Sequence, residues 1–192
     1  ALFRASRQSY WLIPPVLCNS FPKSGTHLLF QILEALPGVH SYRRFLASIP
    51  SIPFRRRPLE SIKATIAGSP PGELLRAHLF YHPQSRRTLQ KRGFVHYFIY
   101  RDPRDVVVSE ATYLARMNHW HRMHEVFRDL PDDTSRISRA IKGFSRNGFP
   151  YWFPDIRERF RVYEGWVDCP EVVTVRFEDL VSDRREDAVR RL

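Results

Sequence analysis

The segment Phe21-Pro22-Lys23-Ser24-Gly25-Thr26-His27 constrains this chain more than any other. It lies between an apolar run, Ile13 to Cys18 broken by Pro14 and Pro15, and a stretch where Leu28, Leu29, Ile32, Leu33 and Leu36 recur at helical spacing. Strand, tight loop and helix are the order this pattern predicts. At a helix start the first amide N–H groups lack intrahelical partners and the dipole is positive, so Ser24, Gly25 and Thr26 can offer backbone donors to an anion. Gly25 permits close backbone approach, and Lys23 adds a mobile point charge. The loop reads as a phosphate cradle. It is not the nucleoside-triphosphate motif, because here the lysine precedes the glycine. A strand-to-helix turn without a ligand is the competing reading of this segment alone.

A second motif, Arg101-Asp102-Pro103-Arg104-Asp105-Val106-Val107-Val108-Ser109, follows the strand-like run Val95 to Tyr100. Asp102 suits an N-cap and Pro103 a first helical residue, so a helix starts here and carries Ser109. Six helical residues rise about 9 Å, which lets Arg101 and Ser109 flank one phosphate. The plainer alternative pairs Arg101 with Asp105 and leaves Ser109 bonded within its helix.

Together the two motifs resemble those of the sulfotransferase family that uses 3′-phosphoadenosine 5′-phosphosulfate (PAPS) as sulfuryl donor. The family's first loop typically reads Tyr-Pro-Lys-Ser-Gly-Thr-Thr-Trp and grips the 5′-phosphosulfate. An arginine and a serine eight positions later hold the 3′-phosphate. The resemblance therefore implies donor contacts at Lys23, Ser24, Gly25, Thr26 and His27, and at Arg101 and Ser109. Arg76-Ala77-His78-Leu79 is similar to the family's Lys-Thr-His-Leu, which implies His78 as catalytic base. Val172 to Leu180 resembles the late strand with its Tyr-Glu-Asp motif, which implies Phe177 near the adenine. Departures from the pattern include His27 for the second threonine, Leu28 for the tryptophan, Arg76 for the lysine and Phe177 for the tyrosine. Phe177 keeps an aromatic face and loses a hydroxyl donor. The family's C-terminal glycine-rich basic loop has no counterpart before Leu192. Residues 1–192 are accordingly expected to be a single sulfotransferase domain, incomplete at the C-terminus.

The same residues suit sulfuryl transfer on chemical grounds. An acceptor hydroxyl or amine must lose a proton, and a histidine such as His78 titrates near neutrality. The leaving oxygen gains charge, which the flexible cation of Lys23 can offset. The resemblance adds that Ser109 restrains Lys23 until acceptor binds. Glu73 and Glu110 are reserve bases, and no metal is required. His119, His121 and His124 cluster in sequence, yet no cysteine or well-placed carboxylate completes a metal site there.

A chain of 192 residues can bury the core of one domain. Strands are expected at 16–20, 74–77, 95–101 and 172–177, and helices at 26–36, 59–67, 103–119, 135–143, 153–164 and 183–192. This alternation predicts an α/β fold, a three-layer P-loop-like domain with a central parallel sheet flanked by helices. No stretch is long and apolar enough to span a bilayer, and no apolar signal segment precedes Ile13. Cys18 and Cys169 read as buried thiols, which favours a cytoplasmic site. The net charge of +11 suits an anionic ligand. Basic clusters such as Arg55-Arg56-Arg57 are scattered and read as solvated surface, or else as a face for an acidic glycan. An ATP-dependent kinase on a related fold is the alternative enzyme, without a Walker-type loop to support it. A nucleic-acid-binding module rests on net charge alone. Phe80, Tyr81, Tyr113 and Trp120 are candidate walls of an acceptor pocket or plain core residues. The acceptor, small molecule or glycan, and the oligomeric state leave no signal in the sequence.

Overall fold

Five short strands form one parallel sheet: β1 (Val16–Ser20), β2 (Phe45–Ala47), β3 (Leu74–His78), β4 (Val95–Tyr100) and β5 (Val172–Arg176), in the order β2-β3-β1-β4-β5. These come from a computed structural model, which describes residues 12–144 and 150–192. Residues 1–11, whose lack of an apolar signal was read from sequence, lie outside the described residues. A parallel sheet covered on both faces needs strands that are apolar throughout, and every residue of β1 is buried. Successive side chains alternate faces. Leu17 and Phe98 point into one layer with Ile62, Ile66, Tyr163 and Trp166. Val16, Cys18, Tyr97 and Ile99 point into the other with Leu29 and Leu33.

The helices that cover these faces are α1 (Thr26–Glu34), α2 (Leu59–Ala67), α3 (Pro83–Lys91), α4 (Pro103–Thr112), α5 (His124–Arg128), α6 (Asp133–Lys142), α7 (Ile156–Glu164), α8 (Phe177–Val181) and α9 (Arg185–Arg190). The three-layer α/β architecture expected from the alternation of elements is present. Several elements depart from expectation for local reasons. Strand β2 has only three residues, too few to show a period. Helix α3 is strongly polar and buries only Ser85 and Leu89; the His82 ring caps it by accepting from the Gln84 N–H at 3.2 Å. The helix expected over 103–119 stops at Thr112 and continues as one π-helical turn, Tyr113–Met117, which the Asn118 N–H closes on the Tyr113 carbonyl at 3.0 Å. Asp132 and Asp155 cap α6 and α7 on the N–H groups of Ser135 and Glu158, which moves both starts away from the expected positions. Phe177, expected to end β5, begins α8.

The order β2-β3-β1-β4-β5 makes β1 a topological switch point, with β3 on one side and β4 on the other. Open α/β sheets bind ligands at the carboxyl ends of strands at such a point. Parallel registers Asn19↔Ala77 and Ser20↔Ile99 bring the loop after β1 level with His78 and Arg101.

His96, in β4, is buried edge-on to Trp166 at 4.6 Å with no partner for Nε2 among the described residues, and burial pushes its pKa from 6.5 down to about 3. A histidine held neutral in the folded state leaves the unfolded chain binding more protons below pH 6.5, so stability falls as pH drops from there toward 3. The expected slope from His96 is about 1.4 kcal/mol per pH unit. Urea unfolding at stepped pH measures it, and His96→Leu should flatten the slope by that amount.

Candidate active site

The loop after β1 turns on two residues with positive φ, Lys23 at 66° and Gly25 at 90°. The Ser24 N–H bonds the Phe21 carbonyl at 3.2 Å, which closes the turn. Gly25 then caps α1 with no side-chain hydrogen bond, so the first N–H groups of this nine-residue helix face the loop unpaired. A Cβ on Gly25 would stand 2.4 Å from the Phe177 ring, so glycine is demanded by contact as well as by φ. Ser24 is fully buried, and its Oγ has no partner among the described residues.

Arg101 follows β4. Its Nη2 donates to Asp105 at 3.3 Å, its guanidinium lies over the Phe177 ring at 4.4 Å, and its Nε is buried without a partner among the described residues. The plainer sequence reading, an Arg101–Asp105 pair, is therefore present, and it leaves one donor of the fork open. The Asp102 side chain caps α4 on the Arg104 N–H at 2.9 Å. The Asp102 N–H donates to Glu178 at 2.8 Å and so fixes α8, with Phe177, against the start of α4.

Lys23 reaches the opposite wall, its Nζ 3.9 Å from the centre of the Tyr113 ring. The π-helical turn sets that ring, and Asn118 Nδ2 holds its hydroxyl at 2.7 Å. Among the described residues no hydrogen bond joins Lys23 to Ser109. Burial lowers the Lys23 pKa, nearby Glu110 raises it and Arg101 lowers it further.

His78 ends β3. Its Nδ1 lies 3.1 Å from the Ser20 carbonyl and 2.9 Å from Ser20 Oγ. A carbonyl can only accept, so Nδ1 carries the proton and Nε2 keeps its lone pair. Burial pushes the His78 pKa down to about 4; the Ser20 bond opposes this, and the charges of Lys23 and His27 add to it. Ser20 Oγ also meets Thr26 Oγ1 at 2.7 Å, so a hydroxyl chain links the start of α1 to the His78 ring. Beside it, buried Asn19 accepts from Ser20 and Leu79 N–H groups and donates to the Leu79 carbonyl, at 3.0, 2.8 and 3.2 Å. Asn19 and Ser20 were not singled out in the sequence; the available signal was two polar residues ending an apolar strand.

One cavity of about 550 Å³ joins these groups. Lys23, Gly25, Thr26, His27, His78, Arg101, Ser109 and Phe177 all line it, and buried Ser24 lies behind the loop. Arg76 lines it too, with its guanidinium 4.6 Å from the Phe30 ring centre and its Nε unpartnered among the described residues. Unpaired helix-start amides, an orphaned arginine donor and a glycine cradle form a donor set that fits a phosphorylated ligand. The rings of Phe45, Phe54, Phe80, Tyr113 and Trp152 line the same cavity. Of the predicted pocket aromatics, Tyr81 instead packs edge-on to Trp166 in the core, and Trp120 is 81% exposed. The reserve bases are occupied: Glu110 pairs with buried Arg159, and Glu73, itself fully buried, holds Arg44 through both carboxylate oxygens. His119 and His124 contact each other at 3.1 Å, whereas His121 lines the cavity.

The family model described as "Sulfotransferase domain" matches residues 14–191. Among solved structures, mouse sulfotransferase SULT7A1 complexed with PAP superposes with a TM-score of 0.56 at 18% identity, over 92% of this chain and 57% of that one. Retinol dehydratase in complex with androsterone and inactive cofactor PAP gives 0.56 at 15% identity, over 95% of this chain and 61% of that one. The chain thus spans about three fifths of the length of these two structures. A comparison with curated proteins finds no match.

Gly25→Ala should cost about 1–2 kcal/mol in urea unfolding from its φ alone, with more from the Phe177 contact. In the double variant with Phe177→Leu, the contact part should be relieved and the φ part should remain.

Proposed function

The chain belongs to the sulfotransferase family, and from that premise we propose that it transfers a sulfuryl group from PAPS to an acceptor hydroxyl or amine. The observation that carries this reading is a single cavity that holds the α1 amides, Lys23, the open Arg101 donor and the neutral His78 ring together. When bound, PAPS would supply an activated sulfuryl group with a stable bisphosphate as its leaving part. The α1 amides and Lys23, Ser24, Gly25, Thr26 and His27 hold the 5′ end, Arg101 and Ser109 hold the 3′-phosphate, and Phe177 covers the base. His78 Nε2 takes the acceptor proton as the acceptor's oxygen or nitrogen bonds to sulfur and the bridging S–O bond breaks. Lys23 leaves its seat on Tyr113 to offset the charge on the departing oxygen. An anion beside Lys23 and His27 cancels part of the repulsion that lowers the His78 pKa, so donor binding raises His78 basicity. The buried free thiols of Cys18 and Cys169 support a reducing, cytoplasmic setting. Among the described residues no helix is long and apolar enough to cross a membrane.

Titration calorimetry with adenosine 3′,5′-bisphosphate, AMP and magnesium-ATP tests the donor assignment. The bisphosphate should bind in preference to both. Arg101→Ala should weaken bisphosphate about 10- to 100-fold while changing AMP little, because only the former has a 3′-phosphate. Lys23→Ala should weaken both. Preference for magnesium-ATP would instead favour the kinase reading, and a steep salt dependence indifferent to Lys23 would favour nucleic acid.

The base assignment has its own readout. His78→Asn should leave bisphosphate affinity unchanged and cut turnover about 10²- to 10⁴-fold. In the wild type the acid limb of kcat/KM for donor should fall near pH 4, activity being lost as pH drops and His78 protonates. At saturating donor the limb for acceptor should move to higher pH.

A further inference from the structure

His121 stands in the cavity wall, away from the donor groups in sequence and on no regular element. Its ring meets Phe54 edge-on at 4.9 Å, and Phe54 in turn meets Tyr151 at 5.8 Å. Three hydrogen bonds hold its backbone and the loop around it. The His121 N–H bonds the Asn118 carbonyl at 3.1 Å, the His124 N–H bonds the His121 carbonyl at 2.8 Å, and the Arg122 N–H bonds the Ser51 carbonyl at 3.3 Å. The ring is therefore fixed from both sides of the sequence.

The state of the ring follows from its partner. Nδ1 accepts the Met123 N–H at 3.0 Å, so Nδ1 bears no proton. Burial pushes the ring's pKa down to about 4, which makes it neutral at physiological pH. A neutral imidazole with a bare Nδ1 carries its proton on Nε2. Among the described residues that Nε2–H has no partner. His78 presents the opposite arrangement, Nδ1–H turned to Ser20 and a bare Nε2. His78 and His121 thus offer one lone pair and one donor.

We propose that His121 is the acceptor-recognition residue, its Nε2–H donating to a second oxygen on an uncharged aromatic acceptor whose nucleophilic hydroxyl lies at His78. This rests on the reading of the cavity as a sulfuryl-transfer site. The rings of Phe54, Phe80, Tyr113 and Trp152 in the cavity wall suit an aromatic body. When such a body displaces water from the cavity beside His121, an acceptor with no second oxygen leaves the Nε2–H unpaired, and a donor stripped of water without a new partner weakens binding. The site therefore discriminates between otherwise matched phenols by the presence of that oxygen.

The test uses 4-phenylphenol and 4-(4-methoxyphenyl)phenol, which differ by a distal oxygen that can accept and cannot react. Both are titrated into the 192-residue chain saturated with adenosine 3′,5′-bisphosphate, and both are then assayed as acceptors with PAPS. The wild type should bind the methoxy compound about tenfold more tightly and show the same preference in KM with kcat little changed. His121→Phe should abolish the preference, and His121→Gln, which keeps an N–H donor, should restore much of it. Unchanged bisphosphate affinity in both variants reports an intact fold. A preference that survives in His121→Phe, or a loss confined to kcat, overturns the proposal. His121-dependent binding without turnover of either phenol supports the recognition role and sinks the sulfuryl-transfer reading, so the two failures are distinguishable.

Discussion

The position of β1 between β3 and β4 is the constraint on which the cavity depends. Because Val16, Leu17 and Cys18 turn apolar side chains to both faces and every residue of β1 is buried, the strand belongs in the middle of a covered parallel sheet. That placement aligns the carboxyl ends of three strands, and each end delivers one functional group: the loop with Lys23 from β1, His78 from β3 and Arg101 from β4. Asn19 then staples the first two ends, with its amide spanning from the Ser20 N–H to both backbone groups of Leu79. Trp166 Nε1 donates to the same Leu79 carbonyl at 2.8 Å, which ties the staple to the helical layer. A buried amide with these partners satisfied is costly to disturb, so the loop and the histidine are held as one unit.

Electrostatics give that unit its direction. Lys23, Arg76 and Arg101 face one cavity, and each carries its charge on a group that the protein does not fully neutralise. Of the nearby carboxylates, Asp105 pairs with Arg101, whereas Glu110 is turned to Arg159 and Glu178 to the Asp102 N–H. Phe177 and Tyr113 hold the cations by their ring faces, which positions charge without cancelling it. The two neutral histidines stay uncharged in this field because burial and neighbouring cations oppose protonation in His78, and burial does so in His121. A site so arranged can hold an anion beside apolar ring surface.

Much of this was legible in the residues because the chemistry is local. The loop at 21–27 sits between a strand signal and a helix signal, and Asp102-Pro103 announces a helix start, so both segments that line the cavity are placed by sequence pattern alone. Their convergence was legible only through the resemblance, since strand order is a non-local property. Ser20 and Asn19 escaped because a polar side chain at a strand end does not declare whether it faces water or a partner sixty residues away. His121 escaped because it was weighed as a metal ligand beside His119 and His124, and a loop has no period to say which way a ring turns. The helix expected through 103–119 broke at Tyr113 because a π-helical turn leaves no compositional mark, though that turn is what seats Lys23.

The account's central claim is that two separated segments bind the two phosphates of one nucleotide. A crystal structure of the chain with adenosine 3′,5′-bisphosphate tests it most directly. The account predicts the 5′-phosphate on the amides between Lys23 and Thr26, and the 3′-phosphate against Arg101 and Ser109. A nucleotide bound with its 3′-phosphate away from Arg101, or bound outside the cavity with the α1 start vacant, would contradict it.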